Sequence, residues 1–275
     1  MVMRPKEEHE LLSPTEQCEF CSGVGMLLFL VKHSRPDLAN PTRELAKVMD
    51  GGTKDHQKEL YRVIKYVLDT KKDALHLRPK EATLNDMWEL KAYSDSDFSG
   101  DKDFRRSVTG FIVYLMGVPI SWKSKGQKSV SLSSTEAEYV AVSEVCMEII
   151  YIKQVLEFLG VKVKKPISVH VDNVGAIYLA TNSTTSSRTR HIDTRYHFVR
   201  EYVEDGVVEI VFVRSTENTA DMFTKNVNKE LLEKHSKDFL RSMSLEKEEK
   251  ENEKESRMMK EQEEKEEDEE DNETD

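Results

Sequence analysis

The sequence predicts an α/β fold: a mixed sheet with helices packed on it, preceded by a small helical region and followed by an acidic tail. Three observations carry this. Strand-like and helix-like runs alternate between about residues 90 and 243, the pattern of a layered α/β domain. Residues 15–78 repeat their apolar positions at helical spacing only. After about residue 244 aromatic residues are absent and Glu, Lys and Asp dominate.

Taken in order, MVMRPKEEHE is too charged for a signal peptide, and residues 1–14 read as a flexible N-terminus. The helical region, 15–78, contains EFCSGVGMLLFLVKH, TRELAKVMD and HQKELYRVIKYVLDT, broken at SRPD and DGGT. Pro79 opens a linker, 79–89. LKAYSDSDF, TGFIVYLMG and VPISWKSK are three strands, the last two separated by Gly117. A long helix over 134–159 ends at Gly160. ISVHVDN alternates as a strand, NVGAIYLATN and HFVREYVEDG read as helices, and VVEIVFVRS as a strand. TENTADMFTKNVNKELLEKH reads as one final helix.

The 275 residues carry a net charge of −11. Ser244–Asp275 holds 17 acidic and 6 basic residues and so accounts for the whole of it. Residues 1–243 are balanced, and the pI of 5.4 does not argue against a nucleic-acid partner there. The tail, 244–275, reads as disordered at this charge density. Three Cys argue against a disulfide scaffold, and the lone CxxC of Cys18 and Cys21 has no second pair to complete a zinc site. The longest apolar run, near Met26–Val31, is too short to cross a bilayer. A soluble intracellular protein, cytoplasmic or nuclear, is expected.

One residue stands out of place. Steps of three and four from Glu138 reach Val142, Val145, Ile149, Ile152 and Leu156, so Glu138 lies in line with a buried stripe, where an unpaired carboxylate is costly. Asp95 near the end of the first strand, Asp172 at the end of the ISVHV strand and Asp221 near the start of the last helix fall in comparable places. Ligands of open α/β sheets bind outside the carboxyl ends of strands. Four carboxylates meeting there would repel one another, and an all-oxygen set suits Mg²⁺ or Mn²⁺. Two such ions can serve the attacking and leaving oxygens of a phosphodiester. Singly, each acid has a plainer reading: Asp172 and Asp221 as helix caps, Asp95 as a turn residue, Glu138 as half of a capping box.

Basic residues cluster in Arg105 and Arg106, in Lys123, Lys125 and Lys128 of SWKSKGQK, and in Arg188, Arg190, His191, Arg195 and His197 of SRTRHIDTRYH. Such groups suit a phosphate backbone, the alternative being a solvated surface. Trp122, in a strand, reads as core.

AYSDSDFSGDKDFRRSVTGFIVYLMGVPISWKSKGQKSVSLSSTEAEYVAVSE closely resembles the ribonuclease H domain of copia-type retrotransposon Pol polyproteins, and VDNVGAIYLATN, SSRTRHIDTRYHFVREYVEDG and STENTADMFTK continue the resemblance in order. VGMLLFLVKHSRPDLAN and LYRVIKYVLDTKKDALHLRP resemble the reverse-transcriptase tail that precedes that domain. The likeness runs from about 20 to 230. It implies a ribonuclease H-like five-stranded mixed sheet and makes 15–78 a reverse-transcriptase connection remnant. It also implies an Asp-Glu-Asp-Asp site at Asp95, Glu138, Asp172 and Asp221 holding two Mg²⁺ or Mn²⁺ ions. An RNA/DNA hybrid is the implied substrate, with reverse-transcriptase and integrase parts of a polyprotein as partners. Phe98 stands where family members usually carry Trp. The loop VRSTENTAD lacks the His that cellular ribonucleases H carry before the last Asp. The polymerase aspartates are absent, so this chain is not expected to polymerise DNA.

The expected function is metal-dependent endonucleolytic hydrolysis of the RNA strand of RNA/DNA hybrids. The alternatives are a catalytically silent retroelement remnant that binds nucleic acid or a protein, and an acidic-tailed interaction protein with a structural body of this fold.

Overall fold

In the helical region, SPTE starts α1 (Pro14–His33): Ser13 and Glu16 cap each other reciprocally and Pro14 takes the first turn, where its missing N–H costs nothing. α2 (Ala39–Ala46) follows a 3₁₀ turn at Pro36–Leu38, and α3 (Lys54–Asp69) is capped by Thr53. The three helices bury Phe20, Val24, Leu27, Leu38, Leu45, Val48 and Leu60 against one another. The computed structural model describes residues 10–79, 87–101, 105–182 and 198–243.

Two short strands follow, β1 (Asp73–Leu75) and β2 (Met87–Trp88). Then come β3 (Leu90–Asp97), β4 (Val108–Leu115), β5 (Val118–Gly126), α4 (Ser134–Phe158), β6 (Lys162–Val163), β7 (Ile167–Val171), α5 (Val174–Thr181), α6 (Phe198–Glu204), β8 (Val208–Phe212), α7 (Asp221–Thr224), α8 (Lys229–Ser236) and β9 (Leu240–Ser242). The main sheet has the order β5-β4-β3-β7-β8. β3–β4 and β4–β5 are antiparallel, whereas β3–β7 and β7–β8 are parallel. This is the five-stranded mixed sheet of a ribonuclease H-like fold. Met116 and Gly117 turn the β4–β5 hairpin with φ of 52° and 75°, the two positive values a two-residue hairpin loop needs.

Both faces of the sheet are covered. On one, Leu90, Ala92, Phe111, Val113, Val169 and Val171 pack under α4, α5 and α6; the stripe Val142, Val145 and Ile149 is fully buried there. On the other, Ile112, Tyr114 and Tyr93 meet Ala39 of α2 and Met222 and Phe223 of α7. The helical region is thus packed on the sheet. Trp122 Nε1 donates to Val31 O (2.7 Å) and Arg43 Nε to Ser124 Oγ (2.9 Å). Trp122 is a half-buried packing residue.

Several local expectations differ from the structure. Residues 10–13 are engaged rather than free: Leu11 bridges Thr53, and Leu12 N donates to Gly52 O. Asp73–Leu75, read as part of the helical region, pairs with β9, and Met87–Trp88 of the linker pairs with β6. Strands of two or three residues carry no readable alternation and exist because a distant partner completes them. The final helix is broken into a 3₁₀ turn at Ser215–Glu217, α7 and α8. Lys225 is extended (φ −137°, ψ 162°), and Asn228 starts α8 afresh by accepting from Leu231 N (2.8 Å). The tail expected to be disordered, 244–275, lies outside the described residues, as do 1–9 and 80–86.

Candidate metal centre

Pairing between β3 and β7 runs from Lys91↔Ser168 to Tyr93↔His170 and stops, although both strands continue. A crevice therefore opens at their carboxyl ends, between the antiparallel and parallel halves of the sheet, the switch point where ligands bind. Asp95, two residues past the last β3–β7 pair, is buried. Glu138 enters the same crevice from the first turns of α4, buried, and its Oε1 accepts from Ser96 N (3.3 Å). Asp172 follows β7 directly. The helix-cap reading of Asp172 fails, because Asn173 does that work: its Oδ1 accepts from Ala176 N (3.0 Å). Asp172 is left pointing to other partners, and single carboxylate oxygens of Asp95, Glu138 and Asp172 all lie within 4.8 Å of one another.

Asp221 is not in that close group but borders it. It opens α7, is buried, and its Oδ2 is 3.0 Å from Lys225 Nζ, which also lies 3.8 Å from Asp95 Oδ2. Thr224 Oγ1 donates to Asp95 Oδ2 in a short hydrogen bond. Glu138 thus does not complete a capping box; α4 is capped by Ser133, whose Oγ accepts from Glu136 N (3.1 Å).

Burial first, then the charges of Asp95 and Asp172, push Glu138 up to about 9. Burial likewise raises Asp95 to about 7, with Lys225 opposing and Asp221 adding to the rise. Asp221 is raised chiefly by burial, against the pull of Lys225. The cluster holds more negative charge than its surroundings compensate. Among the described residues, Glu138 Oε2 and Asp221 Oδ1 are buried without a hydrogen-bond partner. Orphaned carboxylate oxygens in an all-oxygen crevice fit a hard divalent cation.

Three contributing residues were not read from the sequence. Thr224 and Lys225 orient Asp95 and Asp221 across the fold. Gly110, opposite Asp95 in β4, lets α7 touch the sheet: a Cβ there would sit 2.6 Å from Thr224 Cγ2 and 2.8 Å from Phe223 Cβ. A glycine inside the apolar run TGFIVYL was the available signal.

The basic residues divide. Arg105 and Arg106 are exposed just before β4. Lys125 is exposed and lies in register with Thr109 and, through it, Ser96, at the same end of the sheet as the acids. Lys128 is exposed in the loop before α4. Lys123 instead pairs with Glu144 (3.0 Å) and covers the Phe111 ring, an internal engagement. Arg188, Arg190, His191, Arg195 and His197 lie outside the described residues. Cys21 donates to Met49 O (3.3 Å) and Cys18 is exposed, so neither joins a metal-ligating group among the described residues. No helix among those residues is long and apolar enough to cross a membrane.

No protein-family model matches the chain. It is 39% identical over 215 residues, 78% of its length, to the retrovirus-related Pol polyprotein from transposon RE1 of Arabidopsis thaliana. To the Pol polyprotein from transposon TNT 1-94 of Nicotiana tabacum it is 38% identical over 208 residues, 76% of its length. It spans 14% and 15% of those two relatives. Among solved structures, LC11-RNase H1 isolated from compost aligns with 53% of this chain and 96% of its own, at 13% identity and a TM-score of 0.39. The chain belongs to the retrovirus-related Pol polyproteins of copia-type transposons and carries a ribonuclease H-like sheet.

Proposed function

We infer that this segment is a metal-dependent endonuclease that hydrolyses the RNA strand of RNA/DNA hybrids within a Pol polyprotein. The observation that carries the reading is the convergence of Asp95, Glu138 and Asp172, with Asp221 beside them, in a crevice where Glu138 Oε2 and Asp221 Oδ1 are buried and have no partner among the described residues. These four residues would hold Mg²⁺ or Mn²⁺, two ions in all. Bound there, the metal supplies an activated water and relief of charge on the leaving oxygen. The chain's own part is orientation. Thr224 fixes Asp95 through its hydroxyl, Ser96 N fixes Glu138, and Asn173 frees Asp172 by taking over the cap. Arg105, Arg106, Lys125 and Lys128 offer positive charge to a phosphate backbone around the crevice. The reverse-transcriptase and integrase parts of a polyprotein are its proposed neighbours.

The test is cleavage of labelled hybrid by the full chain with Mg²⁺ or Mn²⁺ and with EDTA, beside Asp172→Asn. Cleavage is expected to require metal and to fall at least about a hundredfold in the variant, since removing even a residue that merely supports a metal ligand costs 10–100-fold. Cleavage by Asp172→Asn at the wild-type rate rules the reading out. Metal-independent hybrid binding without cleavage selects the silent-remnant alternative.

A further inference from the structure

Lys225 belongs to none of the four acid positions, yet its ammonium sits among them, 3.0 Å from Asp221 and 3.8 Å from Asp95. The side chain is 41% exposed, while those of the two acids are 6% and 2% exposed. It therefore reaches from solvent into the crevice and puts one positive charge against oxygens that a divalent ion would also need. An ammonium and a metal ion cannot both stand close to Asp95 without repelling each other. Lysine is suited to leaving: its charge rides on a flexible four-carbon stem and makes no bidentate fork. Space exists for it to move. Lys225 also lines a cavity of about 350 Å³ between α2, α3 and the 222–232 segment, whose wall carries Glu44 and Glu59.

We propose that Lys225 is a resident counter-cation that neutralises the acid crevice when metal is absent and is displaced when a divalent ion enters, so that it sets the metal affinity of the centre. The proposal rests on the metal reading of the four acids and adds a competitor to it. Without metal, Lys225 screens Asp95 and Asp221 from each other and keeps α7 seated on the sheet. As metal binds, that role passes to the ion, and the ammonium is released toward solvent or the neighbouring cavity, where it can approach substrate phosphate.

The experiment is Mn²⁺ binding to the full 275-residue chain, with free Mn²⁺ read by electron paramagnetic resonance, for wild type, Lys225→Met, Lys225→Gln and Lys225→Arg. Circular dichroism and melting curves in EDTA accompany it. The neutral variants should bind Mn²⁺ roughly two- to fivefold tighter, the scale of one partly exposed ion pair lost. They should melt lower in EDTA and gain more from saturating Mn²⁺. Lys225→Arg, which keeps the charge and can fork onto a carboxylate, should bind Mn²⁺ no more tightly than wild type. If wild type binds Mn²⁺ but both neutral variants bind it equally or more weakly, Lys225 is no competitor and the metal centre stands without it. If no protein binds Mn²⁺, both readings fall. Binding by the neutral variants alone supports the displacement most directly.

Discussion

Two helices open with nearly the same four residues, SPTE at Ser13–Glu16 and SSTE at Ser133–Glu136, and their carboxylates meet opposite fates. At α1 the box is closed: Ser13 Oγ accepts from Glu16 N (3.4 Å) and Glu16 Oε2 from Ser13 N (3.0 Å). Glu16 is partly exposed to solvent and is pulled down to about 2, first by the hydrogen bond from Lys54 and then by Ser13. At α4 the serine caps, but Glu136 reaches back to Leu132 N (2.7 Å) instead of to Ser133 N. Two residues on, Glu138 is driven the other way, up to about 9, by burial beside Asp95 and Asp172. The local signal says only that a helix begins. Whether a carboxylate in its first turns is stabilised or frustrated depends on what the tertiary fold puts beside it, and a frustrated acid is what a cation can relieve.

The contrast between the two helix starts is tested most sharply at Glu138. Glu138→Gln should lose roughly a hundredfold or more of hybrid cleavage, and it should also remove a pH trend in metal-free protein. Because the folded-state pKa of Glu138 lies above its unfolded value, its protonation favours the folded state at low pH. That contribution is lost as pH rises through about 9. Glutamine has no proton to lose. In EDTA the melting temperature of the variant minus that of wild type should therefore grow from about pH 5 to about pH 9. A difference that stays constant over that range would show that Glu138 is not frustrated.

A smaller effect separates two glycines of the same two regions. Gly110 faces Thr224 and Phe223 at distances no side chain tolerates, so Gly110→Ala should lift α7 from the sheet and cost about 1–3 kcal/mol. Mn²⁺ affinity should fall with it, since Asp221 and Thr224 ride on α7. Gly25 in α1 is exposed, and a Cβ added there would meet no atom within 4 Å, so Gly25→Ala should stabilise by about 0.5–1 kcal/mol through helix propensity. Urea denaturation of both variants checks the signs; two effects of the same sign would contradict the packing described for β4 and α7.

The smallest effects are at the caps. Ser133→Ala should cost about 1 kcal/mol, because a part-buried N–H is left unpaired. Ser13→Ala, at an exposed terminus, should cost about 0.5 kcal/mol, the low end for N-caps. Equal losses in urea titrations would mean that burial of the α4 terminus does not strengthen its cap.

Much of this architecture was legible because it is local. Apolar spacing marked α4, alternation marked β7, and Gly117 marked the β4–β5 turn, each a property of neighbouring residues. The position of Glu138 on a buried stripe, with three aspartates at strand and helix ends, was enough to single out the acids from the chain alone. What the linear order left open is set by contacts between distant residues. β1 forms because Leu75 meets Leu240. The last predicted helix breaks because Lys225 is extended and Asn228 restarts the chain. Asp95 is held by Thr224, 129 residues away, and only the approach of α7 over Gly110 makes that possible. Which side chains are candidates for chemistry can be read along the chain, because hydrophobic period and residue type are properties of the linear order. Which of them lose their solvent, and which cation stands among them, follows from packing alone, because burial and charge proximity are sums over neighbours that no local pattern contains.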